Sequence, residues 1–149
     1  TGLDPQARRG LWTIIENMRD KNKTIFLTTH YMEEAERLCD RVAIMDYGKI
    51  IALDTPQELI RNYFKEKVIQ FELEPPPPEI VLRTFAGTTN VTIDTNSVVV
   101  YSSDIPATMS AILKYTEKID LIDKLKNLHV REATLEDVFL KLTGRRIRE

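Results

Sequence analysis

Residues 24–41 read TIFLTTHYMEEAERLCDR, and they organise the first half of the chain. The run from Thr24 to Thr28 is β-rich and apolar throughout, which predicts a strand covered on both faces. Glu33 and Glu34 suit the first turn of a following helix, because carboxylates are favoured near the positive end of the helix dipole. His30 stands between the two elements, so the stretch is typical of an α/β protein with a polar residue at a strand end.

The residues on either side of this stretch extend the pattern. Asp4-Pro5 predicts a helix cap followed by proline at the first helical position, where its missing N–H costs nothing. Residues 41–45 and 49–53 flank Tyr47-Gly48 and predict a hairpin. Thr55-Pro56-Gln57-Glu58 is a capping box that opens another helix. The predicted order up to residue 64 is therefore helix, strand, helix, two strands and helix.

The second half of the chain has a different periodicity. The first predicted elements are a half-exposed strand around Ile69, Phe71 and Leu73, a short helix over 79–86 closed by Gly87, and a hairpin turning at 94–97. They are followed by a helix over 105–118 capped by Asp104, a strand over 128–131 and a last helix from Thr134 to Gly144. The order β-α-β-β-α-β matches the split βαβ of an α+β, ferredoxin-like fold. We expect one domain over 1–66 and a second over 67–149.

Composition narrows the classes of function. The chain has 149 residues with a net charge of -2, which argues against a broad nucleic-acid binder. A single cysteine rules out an internal disulfide and favours a reduced cytosol. The apolar runs are too short to predict direct membrane insertion. The five glycines form neither a G-x-x-x-x-G-K-[ST] phosphate loop nor a G-x-G-x-x-G turn, so the main cradle for any nucleotide would lie elsewhere.

His30 has two interpretations. A histidine at a strand end of an α/β sheet can donate to a phosphate or orient a water molecule. From position alone, a histidine that caps the following helix is the favoured interpretation, because single residues are weak signals.

The wider context supports the first interpretation. Residues 1–5 (Thr1-Gly2-Leu3-Asp4-Pro5), 24–41 and 44–50 closely resemble, in this order and spacing, the C-terminal end of an ABC transporter ATP-binding subunit. Residues 1–5 resemble the D-loop, His30 resembles the switch histidine, and Thr55 to Leu59 resemble the helix that ends the nucleotide-binding domain. The resemblance covers residues 1–64 and implies an α/β remnant of a P-loop-type domain over 1–66. Residues 131–145 are similar to the C-terminal domain of daunorubicin-type drug-resistance exporters.

This resemblance implies a site and partners. In the family, two ATP-binding domains enclose two ATP molecules with Mg²⁺. His30 would contact the γ-phosphate and the attacking water, and Gly2 and Asp4 would lie in the D-loop at the seam between the domains. The implied partners are a second ATP-binding subunit and transmembrane permease subunits, which would hold the protein at the cytoplasmic face of the membrane. The implied function is ATP-driven transport of a drug or lipid-like substrate.

The chain departs from the family in what it lacks. The phosphate loop, the signature motif and the Asp-Glu pair expected before Thr1 are missing from the sequence, so we expect a fragment with no ATP hydrolysis of its own. Without its neighbouring strands, the predicted strand at 24–28 would leave apolar surface open to self-association. The alternative function is a stand-alone regulatory or dimerisation module.

The other candidate residues favour structural interpretations. Glu33, Glu34 and Glu36 predict one solvated helix face, and we expect no metal site there. Cys39 is interpreted as a small buried hydrophobe, and Trp12 as partly buried in the core. His129 lies on the polar side of a predicted strand and is expected to be exposed.

Overall fold

The computed structural model of the protein describes residues 2–144, so Thr1 and the basic residues at 145, 146 and 148 lie outside the described part. In chain order the elements are α1 (Pro5–Asp20), α2 (Met32–Leu38), β1 (Val42–Asp46), β2 (Lys49–Asp54), α3 (Pro56–Tyr63), β3 (Lys67–Glu72), α4 (Glu79–Leu82), β4 (Thr88–Asp94), β5 (Ser97–Ser102), α5 (Ile105–Lys118), a 3-10 turn (Ile122–Lys124), β6 (Lys126–Arg131) and α6 (Leu135–Thr143). They form two compact units. Of the described residues, unit 1 contains 2–63 and 134–144, and unit 2 contains 64–133.

Unit 2 is built on a four-stranded sheet in the order β4-β5-β3-β6, with every neighbouring pair antiparallel. Strands β3 and β4 therefore run in the same direction with β5 between them. The inner face of the sheet packs with residues of α4 and α5 into one apolar cluster, whose buried members are Ile69, Phe71, Leu73, Leu82, Val91, Val98, Val100 and Ile112. The predicted β-α-β-β-α-β order of elements is observed.

Local signals account for the boundaries in unit 2. The Asp104 carboxylate accepts a hydrogen bond from the Ala107 N–H and begins α5, as predicted. The β4–β5 hairpin turns through Thr95, whose φ is 54°. Helix α4 is shorter than the predicted 79–86, because the chain turns after Leu82 towards Gly87, which has a φ of 84°.

Unit 1 combines the β1–β2 hairpin with four helices. Its buried apolar residues are Trp12, Ala35, Leu38, Val42, Ile44, Leu59, Leu135 and Val138. Helix α6 packs against α2 and α3, and the Lys141 Nζ donates a hydrogen bond of 2.7 Å to the Tyr63 carbonyl. The predicted last helix begins with a capping box of Thr134 and Asp137, and Gly144 ends it in the left-handed conformation. The last helix, expected within 67–149, is therefore part of unit 1.

The predicted strand over residues 24–28 is wrong. These residues have no regular secondary structure, and the Phe26 side chain is 95% exposed. A strand exists only where its N–H and C=O groups pair with a neighbouring strand. No strand within residues 2–144 pairs with this segment. His30 therefore follows a segment without regular secondary structure rather than a strand end.

The buried face of α1 is not its aliphatic stripe. Leu11, Ile14 and Met18 are exposed, whereas Trp12 is buried. Helix α1 packs on α2, and polar contacts along that face, such as Arg37 Nε to Glu16 Oε1 at 3.0 Å, set its orientation. None of the helices within residues 2–144 is both long enough and apolar enough to cross a membrane.

Candidate functional site

His30 is half-buried and lies directly before Tyr31, the residue that caps the N-terminus of α2. The two rings are tilted against each other, with their centroids 4.2 Å apart and an interplanar angle of 34°. On α1, the guanidinium carbon of Arg8 is 4.3 Å from the centroid of the Tyr31 ring, a cation–π geometry. His30 is thus held by an aromatic neighbour that α1 also contacts.

Glu34 is the centre of a polar network beside His30. Its Oε2 accepts a hydrogen bond of 2.8 Å from the Thr29 hydroxyl, and its Oε1 accepts one of 3.1 Å from the Trp12 indole N–H. Its Oε1 also lies 3.7 Å from the Arg8 Nε. The Thr29 hydroxyl accepts in turn from the Tyr31 N–H at 2.9 Å. The network joins α1, the segment around His30 and the first turn of α2.

Gly2 and Asp4 have a local role in the structure. The Asp4 carboxylate accepts a 2.7 Å hydrogen bond from the Ala7 N–H and caps α1, as its position before Pro5 predicts. Gly2 is exposed and has a φ of 82°. Within residues 2–144, no hydrogen bond or ion pair joins Asp4 to His30. Arg8 on α1 connects the two regions, because its N–H donates to the Asp4 carbonyl and its side chain lies over the Tyr31 ring.

A shallow cleft of about 210 Å³ opens beside His30. It is lined by residues of α1, α2, α6 and the segment before α2: Arg8, Trp12, His30, Tyr31, Met32, Glu33, Glu34 and Glu136. An imidazole at this edge can donate a hydrogen bond to an anionic oxygen.

A phosphate cradle and metal ligands are the other parts of an ATP site. The sequence has no phosphate loop, whose backbone N–H groups would hold the phosphates. Within residues 2–144, no group of three or more His, Cys, Asp or Glu side chains converges as it would around a metal ion.

The interpretation of the acidic run as a solvated helix face is wrong for two of its three residues. The Glu34 side chain is only 15% exposed and makes the contacts described above. The Glu36 Oε2 accepts a 3.2 Å hydrogen bond from the Leu135 N–H, the first residue of α6. Only Glu33 is exposed. Both inward carboxylates satisfy N–H or O–H donors of other segments, which the local sequence does not reveal.

The other candidates agree with their structural interpretations. Trp12 is buried, more completely than expected, and His129 is exposed. Cys39 is partly buried, and burial, followed by the negative charge of Asp40, raises the pKa of its thiol. A thiol of this kind is a poor nucleophile at neutral pH.

Comparison of the sequence with known proteins identifies relatives of the chain. No protein-family model matches it. It is 39% identical over 151 residues to the Nod factor export ATP-binding protein I of Ralstonia nicotianae and 41% identical over 152 residues to that of Burkholderia lata, in both cases along 100% of this chain and 46% of the relative. The protein of the same name from Rhizobium sp. is 36% identical over 97% of this chain and 45% of its own length.

The chain thus spans about half the length of the curated relatives that it matches. The matches cover both units, including α6. Along its full length, the homologues of this chain are ABC transporter ATP-binding proteins.

Proposed function

We propose that this chain forms part of the ATP-binding subunit of an ABC transporter, in which ATP hydrolysis drives transport across the membrane. One observation carries the proposal. Along its whole length, the chain is 39–41% identical to the Nod factor export ATP-binding proteins described above. A stand-alone regulatory or dimerisation module is not favoured, because the similarity is not confined to unit 2.

In this proposal His30 is the switch histidine. Its imidazole would donate a hydrogen bond to the γ-phosphate of ATP and orient the attacking water, a role supported by its half-exposed position beside the cleft. Gly2 and Asp4 would form part of the D-loop at the seam with a second ATP-binding subunit. Bound Mg²⁺ would neutralise charge on the phosphates, with ligands supplied from outside this chain.

The proposed roles of the two regions follow the sequence division. Residues 1–66 would be the end of a P-loop-type nucleotide-binding domain. The accessory domain would begin at residue 67 and have a ferredoxin-like fold, which the sheet order β4-β5-β3-β6 and the β-α-β-β-α-β order support. Helix α6 packs in unit 1, so in this proposal it stabilises the nucleotide-binding part.

The proposed transport is export of a drug or lipid-like substrate. The names of the relatives specify export of Nod factor, which supports the direction. The resemblance of residues 131–145 to daunorubicin-type exporters supports the drug-resistance subgroup. Permease subunits would choose the substrate and hold this subunit at the cytoplasmic face of the membrane.

The test is ATP hydrolysis by the protein extended with the coding sequence upstream of Thr1. We expect that sequence to encode a phosphate loop and an Asp-Glu pair in frame. His30→Ala should lower the rate of hydrolysis by about 100-fold or more, because it removes a donor to the developing charge. His129→Ala is the matched control, since His129 is exposed in unit 2, and it should leave the rate unchanged.

The 149-residue chain alone should neither bind nor hydrolyse ATP. Calorimetry with Mg-ATP should record no saturable heat, because the phosphate cradle is not in the sequence. Tight binding by this chain, or an upstream sequence without a phosphate loop, would contradict the proposal.

A further inference from the structure

Both carboxylate oxygens of Glu34 are occupied by donors from other segments. Oε2 accepts from Thr29 and Oε1 from the buried Trp12, while the Arg8 guanidinium lies 3.7 Å from Oε1. The side chain is 15% exposed, so water competes little for these contacts. A carboxylate with two filled acceptors and a nearby cation has little freedom to change its rotamer.

These contacts hold the residues on both sides of His30. On one side, the Thr29 hydroxyl donates to Glu34 and accepts from the Tyr31 N–H, which closes a turn around His30. On the other side, the Tyr31 ring lies tilted against the His30 ring, and the Arg8 guanidinium lies over the Tyr31 ring. Arg8 is in turn oriented by Glu34. The backbone and the ring of His30 are therefore restrained through the Glu34 side chain, whose hydrogen bonds are to Thr29 and Trp12.

We propose that Glu34 is the positioning residue for His30. The proposal rests on the proposed function only in giving His30 a phosphate to contact. A donor acts on a reacting group when it is held within a fraction of an ångström of the productive geometry, and supporting hydrogen bonds supply that restraint. Glu34 supplies it through Thr29 and Arg8.

The network requires a carboxylate at position 34. The Thr29 hydroxyl and the Trp12 N–H are both donors in this arrangement, so both need acceptors. An amide has one acceptor oxygen and one donor NH₂ group, and would leave one of the two donors unmatched. Glu34→Gln should therefore restore only part of the restraint that Glu34→Ala removes.

The test uses NMR of the histidine rings in the 149-residue chain, which needs no nucleotide. The chain has two histidines, His30 and His129, so the exposed His129 serves as an internal reference. In the unsubstituted chain, the His30 ring protons should be displaced upfield by the face of Tyr31. Glu34→Ala should abolish this displacement, and Glu34→Gln should leave an intermediate shift. Asp20→Ala, an exposed acidic residue at the end of α1 that does not line the cleft, should leave the signals unchanged.

Thr29→Val gives a second route if Glu34→Ala does not fold. It removes the hydroxyl and keeps the branched shape, so it should also reduce the upfield displacement of the His30 ring. His30 signals unchanged in every folded variant at positions 34 and 29 would overturn the proposal.

Hydrolysis by the upstream-extended protein separates this proposal from the proposed function. There, Glu34→Ala should lower kcat by up to about 100-fold while the KM for ATP changes little, because the change affects the geometry of one donor. If Glu34→Ala moves the His30 signals but His30→Ala leaves hydrolysis intact, Glu34 still positions His30 and the proposed function fails. If Glu34→Ala lowers KM and kcat together without moving the signals, the positioning proposal fails.

Discussion

At the scale of single residues, Cys39 shows how burial determines reactivity. It directly follows α2, partly buried, and it precedes Asp40. Burial disfavours the thiolate, and the neighbouring carboxylate repels it, so the pKa of the thiol is raised. We predict that Cys39 reacts with a disulfide reagent at pH 7.5 more slowly than free cysteine does. Its rate should continue to increase at pH values where free cysteine has reached its maximum rate.

The contribution of Asp40 can be separated from that of burial. Asp40→Asn removes the smaller of the two causes and should speed the reaction, because it lowers the pKa of the thiol and increases the fraction of thiolate at pH 7.5. Asp20→Asn, at the exposed end of α1, is the control and should have no effect. A reaction as fast as that of free cysteine in the unsubstituted chain would show that the thiol is not shielded.

The role of a residue was predictable from the sequence where its hydrogen-bond partner lies close to it in the chain. Asp4 caps α1 through an N–H three residues away, so the sequence alone was enough to identify it. Glu34 is different, because its partner Trp12 is 22 residues away. Arg8 and Trp12 are four residues apart on α1, which indicates a shared face, but only the packing of α1 on α2 brings that face to Glu34.

At the scale of elements, Gly87 connects the end of the α4 region to β4. Its φ is 84°, and a Cβ at this position would lie 2.7 Å from the Thr108 Oγ1 and 2.8 Å from the Asp104 carbonyl oxygen. Thr108 is fully buried, and its hydroxyl donates to the Ala86 carbonyl at 2.6 Å. We predict that Gly87→Ala destabilises unit 2 by about 2–4 kcal/mol, from the strained φ and the overlap together. Urea unfolding followed by circular dichroism measures the loss.

Gly10 provides the matched control for that substitution. It lies in the exposed interior of α1, with no atom near the position of its missing Cβ. Gly10→Ala should stabilise unit 1 by about 0.5–1 kcal/mol, because alanine loses less backbone entropy in a helix. Trp12 is the single tryptophan and is buried in unit 1, so its fluorescence follows that unit. Equal effects of the two substitutions would contradict the assignment of strain to Gly87.

The elements predicted correctly are those with signals in adjacent residues. Both hairpins and the capped helices α1, α5 and α6 were predicted because their turns and caps depend on residues within four positions. The segment 24–28 was not, because strand formation depends on a distant partner that its own apolar residues cannot supply. The orientation of α1 also depends on packing, since Trp12 rather than the aliphatic stripe meets α2.

At the scale of the whole molecule, the two units differ in how well their apolar side chains are covered. Unit 2 has a continuous buried cluster on its sheet. Unit 1 has most of the exposed large apolar side chains, which are Leu3, Leu11, Ile14, Met18, Phe26, Met45, Tyr47, Ile50, Ile51 and Leu53. Hydrophobic surface left in water adds no stability and favours association.

We therefore predict that unit 1 is the less protected part of the chain. Hydrogen exchange in a dilute monomeric sample should be faster for residues 2–63 than for 64–133, because the backbone hydrogen bonds of unit 1 lie under less apolar cover. Helix α6 should exchange with unit 1, since Leu135 and Val138 are buried in that unit. Protection of α6 equal to that of the β3–β5 sheet would contradict this assignment.

Raising the protein concentration should change the hydrogen-exchange rates of unit 1 and leave those of unit 2 unchanged. If a second copy of the chain covers its apolar surface, sedimentation should detect association, and exchange over residues 2–63 should slow as the concentration increases. Phe26→Ser should weaken that association, because this side chain is 95% exposed. Ile80→Ser is the control, since Ile80 is 76% exposed in unit 2 and should have no effect. Equal weakening by both substitutions would mean that association does not depend on the surface of unit 1.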